Sequence, residues 1–188
     1  NTATGVRITT SASLNTVGGT TAADRNVISG NLGLLVLIDT SNINGNVVQG
    51  NYIGTDVNGG VAVPNGSVGV ILDGGTRNNT VGGTAAGAGN VISKNNFGVR
   101  LIIVSSPTTN NLIQGNMIGT DPTGMIAMGN GSQGVLMQGA DNNTVGGTTA
   151  AARNIISGNA GPGVSLQSSS KNNIVQGNYI GTKADGLS

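Results

Sequence analysis

The sequence predicts an all-β protein, a right-handed parallel β-helix of about six rungs with three short strands each. Three observations lead there. The chain repeats itself, its branched aliphatics recur with a period of two, and its 188 residues include 34 Gly and 26 Asn but no Glu. Gly and Asn favour corners and form helices poorly, so long helices have no background to grow in. Val, Ile, Leu and Phe still make up 47 residues, enough to bury a core, which argues against disorder.

The repeat comes first because it decides the architecture. Asn-Thr-Val-Gly-Gly-Thr starts at Asn15, Asn79 and Asn143, and Asn-[Val/Ile]-Ile-Ser-[Gly/Lys]-Asn starts at Asn26, Asn90 and Asn154, each stepping by 64 residues. Gln-Gly-Asn-[Tyr/Met]-Ile-Gly-Thr follows at Gln49, Gln114 and Gln176. The chain therefore reads as one domain, residues 1–188, with internal repeats near 5–68, 69–133 and 134–188. Each repeat divides again into two rungs.

Within a rung, a Gly-led apolar strand comes first, from Gly5, Gly33, Gly69, Gly98, Gly134 and Gly163. A second strand opens at Asn15, Asn46, Asn79, Asn111, Asn143 and Asn173, and a third at Asn26, Asn51, Asn90, Asn116, Asn154 and Asn178. In all twelve Asn-led strands the second residue after Asn is Val or Ile, from Val17 and Ile28 to Val175 and Ile180. The residue between varies, as expected if it points outward while its neighbour points in. Odd rungs carry six extra residues before the third strand, such as 20–25, and even rungs about eleven after it, such as 57–67. Successive rungs running the same way give parallel sheets, and the bias of parallel crossovers makes the winding right-handed. At a strand spacing of about 4.8 Å, six rungs stand roughly 29 Å tall.

Two further features belong to the corners. Gly19, Gly50, Gly83, Gly115, Gly147 and Gly177 fit a bend that needs positive φ or close backbone approach. The two aligned Asn columns predict two six-membered amide ladders, each side chain donating to one neighbour and accepting from the other. The plainer reading is that Asn simply tolerates a left-handed corner.

Composition narrows the function classes. Eight basic and seven acidic residues give net charge +1 and no basic patch for nucleic acid or anionic membrane. The longest apolar stretch, residues 32–38, is too short to cross a bilayer. With neither Cys nor His, disulfides, thiolate metal sites and imidazole bases are excluded. No cofactor or metal is predicted. The start at Asn1, with no signal peptide, reads as a processed or excised segment.

The recurring strings Asn-Thr-Val-Gly-Gly-Thr, Asn-Val-Ile-Ser-Gly-Asn and Val-Gln-Gly-Asn-Tyr-Ile-Gly-Thr-Asp resemble right-handed β-helix repeat proteins that bacteria secrete or display, a group similar in fold to pectate lyases. The resemblance spans nearly the whole chain. It implies the fold and an extracellular or cell-surface location, but no particular activity, because this architecture carries lyases, hydrolases, adhesins, tailspikes and inert stalks.

Enzymes of this kind cluster carboxylates on one sheet, and here the seven Asp scatter. Asp56 and Asp121 share a register two rungs apart, about 9.6 Å, within reach of an inverting pair at up to about 9.5 Å. The competing reading makes each a cap for the loop that follows. Asp39 and Asp73 end first strands on neighbouring rungs, with their stacking left open. Val61 to Val63 and Met125 to Met128 put apolar residues in even-rung loops, which are expected to fold back over the adjacent sheet or form a stripe for lateral contact. Uncapped end rungs suggest a longer solenoid or end-to-end stacking. The expected role is a noncatalytic stalk, spacer or filament segment that self-associates end to end or laterally. The alternative is a polysaccharide-binding or polysaccharide-cleaving module, whose glycan platforms would be Tyr52, Tyr179 and Phe97.

Overall fold

The computed structural model describes residues 1–34, 36–39 and 43–187. Leu35, within the apolar stretch noted above, and Ser188 lie outside the described residues. The first rung holds β1 (Val6–Ile8), β2 (Thr16–Gly18) and β3 (Val27–Ile28), and the second β4 (Val36–Ile38), β5 (Val47–Gln49) and β6 (Tyr52–Ile53). The third has β7 (Val68–Leu72), β8 (Thr80–Gly82) and β9 (Val91–Ile92), and the fourth β10 (Phe97–Ile102), β11 (Leu112–Gln114) and β12 (Met117–Ile118). The fifth has β13 (Val135–Gln138), β14 (Thr144–Gly146) and β15 (Ile155–Ile156), and the sixth β16 (Val164–Gln167), β17 (Ile174–Gln176) and β18 (Tyr179–Ile180). Every third strand pairs in parallel, giving three six-stranded sheets, led by β1, β2 and β3 in turn. This is a right-handed parallel β-helix.

The register explains the core. Val17, Val48, Val81, Ile113, Val145 and Val175 form one column, and Ile28, Ile53, Ile92, Ile118, Ile156 and Ile180 another. A third runs Ile8, Ile38, Leu72, Leu101, Met137 and Leu166. Their middle members are fully buried in a single cluster. Each buried Ile or Leu adds about 1.5–3 kcal/mol of transfer free energy, so the shaft is stabilised by stacked aliphatics with no aromatic ring among them. Val175 and Ile180 point into the same columns yet stay 39% and 46% exposed, because no rung stacks on the outer edge of the sixth.

Two details depart from expectation. First strands do not all begin at their Gly; β7 and β10 start earlier, at Val68 and Phe97. Gly69 lies inside β7, where a Cβ would meet Ile92 Cγ2 at 2.6 Å. The outward-pointing Val91 and Ile155 are buried, contrary to the simple alternation. The cause is the even-rung loops, which lie over this sheet: a Cβ on Gly124 would meet Met117 Sδ at 3.2 Å and Ile155 Cγ1 at 3.6 Å. The loops are small hairpins, bridged at Thr55–Ala62 and Thr120–Ala127. Their tips remain exposed at Val61, Met125 and Ile126, while Met128 is buried, so the segment folds back in part.

Candidate functional site

The Asn side chains line up in columns along the axis. Nδ2 of Asn15, Asn46, Asn79, Asn111 and Asn143 each donates to Oδ1 of the next Asn in that column, at 3.0–3.1 Å. The column from Asn26 through Asn51, Asn90, Asn116 and Asn154 to Asn178 does the same, at 2.8–3.1 Å. Each Oδ1 on the later rung also accepts the backbone N–H of the Asn that donates to it. The second Nδ2 hydrogen reaches back to a carbonyl one rung earlier, as in Asn90 to Val48 O at 2.8 Å and Asn116 to Val81 O at 2.9 Å. Such an amide has both donors and its acceptor used, which is what a buried polar side chain requires.

Both Asn columns are therefore ladders. In the first column the left-handed corner belongs to the preceding residue, as Leu14, Gly45, Asn78, Asn110, Asn142 and Asn172 all take positive φ. A third ladder was not foreseen. Asn1 Nδ2 donates to Asn31 Oδ1 at 2.8 Å, Asn31 N–H to Asn65 Oδ1 at 3.0 Å, and Nδ2 of Asn65, Asn95 and Asn130 to Asn95, Asn130 and Asn159 at 2.9, 3.3 and 2.8 Å. Its signal was the last Asn of the Asn-[Val/Ile]-Ile-Ser-[Gly/Lys]-Asn string. In even rungs the insertion moves the matching Asn65 and Asn130 from five to fourteen residues past the third-strand Asn.

The carboxylates Asp56 and Asp121 cap the loops they open. Asp56 Oδ1 accepts from Gly60 and Val61 N–H, both at 2.9 Å. Asp121 Oδ1 accepts from Met125 and Ile126 N–H at 3.0 and 2.9 Å, and its Oδ2 from the Thr123 hydroxyl at 2.6 Å. The Val61 N–H, helped by Gly60 and Asn58, holds the Asp56 carboxyl below the usual range against some burial. Burial pushes Asp121 up, but the Thr123 hydroxyl and the backbone N–H groups of Ile126, Thr123 and Met125 outweigh it and leave it lowered. A carboxyl lowered on folding stabilises the fold above its unfolded pKa and loses that contribution as pH falls through the folded one. Asp121→Ala should cost about 1–3 kcal/mol at pH 7, and urea titrations should show the gap from wild type closing below about pH 3.9. A gap that persists at pH 2.5 would mean the loop is held by something else.

No protein-family model matches the chain, and neither a curated protein nor a solved structure does. Function has to be argued from geometry. Among the described residues, no three or more His, Cys, Asp or Glu are grouped to hold a metal ion, and no helix is long and apolar enough to cross a membrane.

Two places on the outer surface concentrate chemistry. On the sheet led by β1, Arg7 Nη2 donates to Asp39 Oδ2 at 2.7 Å, and Arg100 Nη2 donates to Gln138 Oε1 at 3.1 Å. Asp73 lies between the two Arg rungs. Burial raises its carboxyl above the usual range; Gly74 N–H opposes this, the charge of Asp39 adds to it, and Arg100 also opposes. Beside these charges Leu37, Val68 and Ile71 form a small buried apolar cluster under Leu34, Phe97 and Ile102. On the sheet led by β3, Arg25 stacks over Tyr52 and Arg153 over Tyr179, each 4.0 Å from the ring centroid. Each Arg Nε also binds a corner carbonyl, Gly50 O and Gly177 O. The middle repeat has Gly89 and Met117 instead, leaving an open hollow of about 280 Å³ beside Arg25 and Tyr52.

Proposed function

We propose that this protein is a noncatalytic structural rod, a stalk, spacer or filament segment working outside the cell or at its surface, akin to the secreted bacterial β-helix repeat proteins. The observation that carries this reading is the three amide ladders. They spend the dominant polar residue of the chain on joining rung to rung, through all six rungs. Stiffness along the axis is what such columns supply, because every rung is tied to the next by backbone pairing, amide bonds and stacked aliphatics together.

Electron microscopy of the purified chain tests it directly. End-to-end filaments are the expected result, and monodisperse short rods count against a filament role. Incubation with pectin and alginate should release no new ends; cleavage abolished by Asp56→Ala or Asp121→Ala overturns the reading.

One observation favours a second reading, a module that binds an acidic polysaccharide. The hollow beside Arg25 offers a guanidinium at the edge of a glycine-lined groove. The rings count against it, because Arg25 and Arg153 already cover a face of Tyr52 and Tyr179. Titration calorimetry with oligouronates, on wild type and Arg25→Ala, decides between the two: binding lost in the variant supports the glycan reading.

A further inference from the structure

Asp39 and Asp73 follow the paired residues Ile38 and Leu72 at the ends of β4 and β7. Their N–H groups donate to Ile8 O at 3.1 Å and Ile38 O at 2.9 Å, so both continue the ladder in one register. They therefore stack on neighbouring rungs at the strand spacing of about 4.8 Å. One oxygen of each, Asp39 Oδ1 and Asp73 Oδ1, is closed off from solvent and has no hydrogen-bond partner. Two such acceptors on neighbouring rungs of one register, each without a donor, are an arrangement that costs free energy.

The flanking cations relieve only part of this. Strand β1 contributes Arg7, which engages the other oxygen of Asp39. Strand β10 contributes Arg100, which faces Asp73, bonds Gln138, and keeps its own buried Nε unpaired. Strands β4 and β7 carry no charged residue, and β1 and β10 carry no other.

We propose that Asp39 and Asp73 form a one-proton pair that ties the second and third rungs together in mild acid. A single proton from solvent settles on Asp73 Oδ1, and the new O–H donates to Asp39 Oδ1. Asp39 keeps its Oδ2 contact with Arg7, and no covalent bond other than that O–H forms. The two orphan acceptors become one hydrogen bond, and the cluster passes from two negative charges facing two positive ones to one facing two. This junction lies outside the amide ladders, so it adds a link that the rod lacks at neutral pH.

The sign is opposite to that of Asp56 and Asp121. A carboxyl raised on folding adds stability below its unfolded pKa and loses it as pH rises through the folded one. The rod should therefore firm at this junction just where acid has not yet reached the loop caps.

The test is a carbon-13 NMR titration of the Asp carboxyl groups in the full chain, with thermal unfolding of Asp73→Asn alongside. Asp73 should titrate above the ordinary Asp value of about 3.9 and move back toward it in Asp39→Asn, which removes the neighbouring charge. Asp73→Asn supplies an N–H donor at every pH, so its midpoint should exceed wild type by about 2–4 °C at pH 7 and match it near pH 3.5. Titration of Asp73 at or below the ordinary value overturns the proposal. So does a titration unmoved by Asp39→Asn, or a variant whose pH profile runs parallel to wild type.

Discussion

Asn111→Ala should be among the most damaging single substitutions in this chain, costing about 3–6 kcal/mol. Asn111 is fully buried at the centre of the first ladder. Its Oδ1 accepts from both the backbone N–H and Nδ2 of Asn79, and its Nδ2 donates to Asn143 Oδ1 and Thr76 O. Truncation strands the two donors on Asn79 outright, at about 1–3 kcal/mol for each buried group left unpaired, and takes a donor from each of the two acceptors. No water can reach the site without opening the shaft. Asn173→Ala on the last rung is the comparison: its Oδ1 accepts the same two bonds, from Asn143 N–H and Nδ2, but the residue is only half-buried and its Nδ2 has one bond, to Ala140 O, so solvent can take over the freed donors. Urea unfolding should place that variant within about 1 kcal/mol of wild type. Equal losses at the two positions would show that the ladder is not cooperative in the way described.

Gly82→Ala should be comparably severe, for a backbone reason. Gly82 sits at φ +88°, and an added Cβ would lie 1.9 Å from Gln114 O and 2.6 Å from Asn116 Oδ1. The left-handed conformation costs a side chain about 1–3 kcal/mol, and forcing the rungs apart adds about 1–3 kcal/mol of overpacking. Gly60→Ala is the control: a Cβ there meets nothing within 4 Å, so its midpoint should be unchanged within error. A Gly82→Ala variant as stable as that control would show that neighbouring coils can separate freely at this corner.

How much of this was legible in the sequence depends on what repeats. The inward Val and Ile columns recur in all six rungs, so period, strand identity and two of the ladders could be read directly. The third ladder was hidden because it straddles the insertion, and Asn65 follows Asn51 at a distance that Asn31 and Asn26 do not share. Val91 and Ile155 were assigned to solvent because alternation describes a bare sheet, whereas loops from other rungs cover this one. Of the corner glycines, Gly50, Gly83, Gly115 and Gly177 take positive φ, whereas in the first and fifth rungs positive φ falls one residue earlier, at Gly18 and Gly146, and Gly19 and Gly147 are hemmed in by Asp24 and Ala152. The alignment of Asp39 with Asp73 needed the register of β4 with β7, which an uneven strand length obscured. These lapses share a cause: contacts between segments that do not share a period leave no periodic trace.

In the two six-membered Asn columns every amide-to-amide bond points one way, Nδ2 donating to Oδ1 of the higher-numbered rung. The two edges of any rung are thus unlike in their side-chain amides, Oδ1 turned to the rung before and an Nδ2 hydrogen to the rung after, like the two halves of a snap fastener. A further 64-residue block could be spliced between existing ones without redesigning either neighbour, since its lower edge already fits an upper edge of its own kind. The length of such a molecule is a variable that gene duplication can adjust in whole blocks, while the direction it faces is fixed.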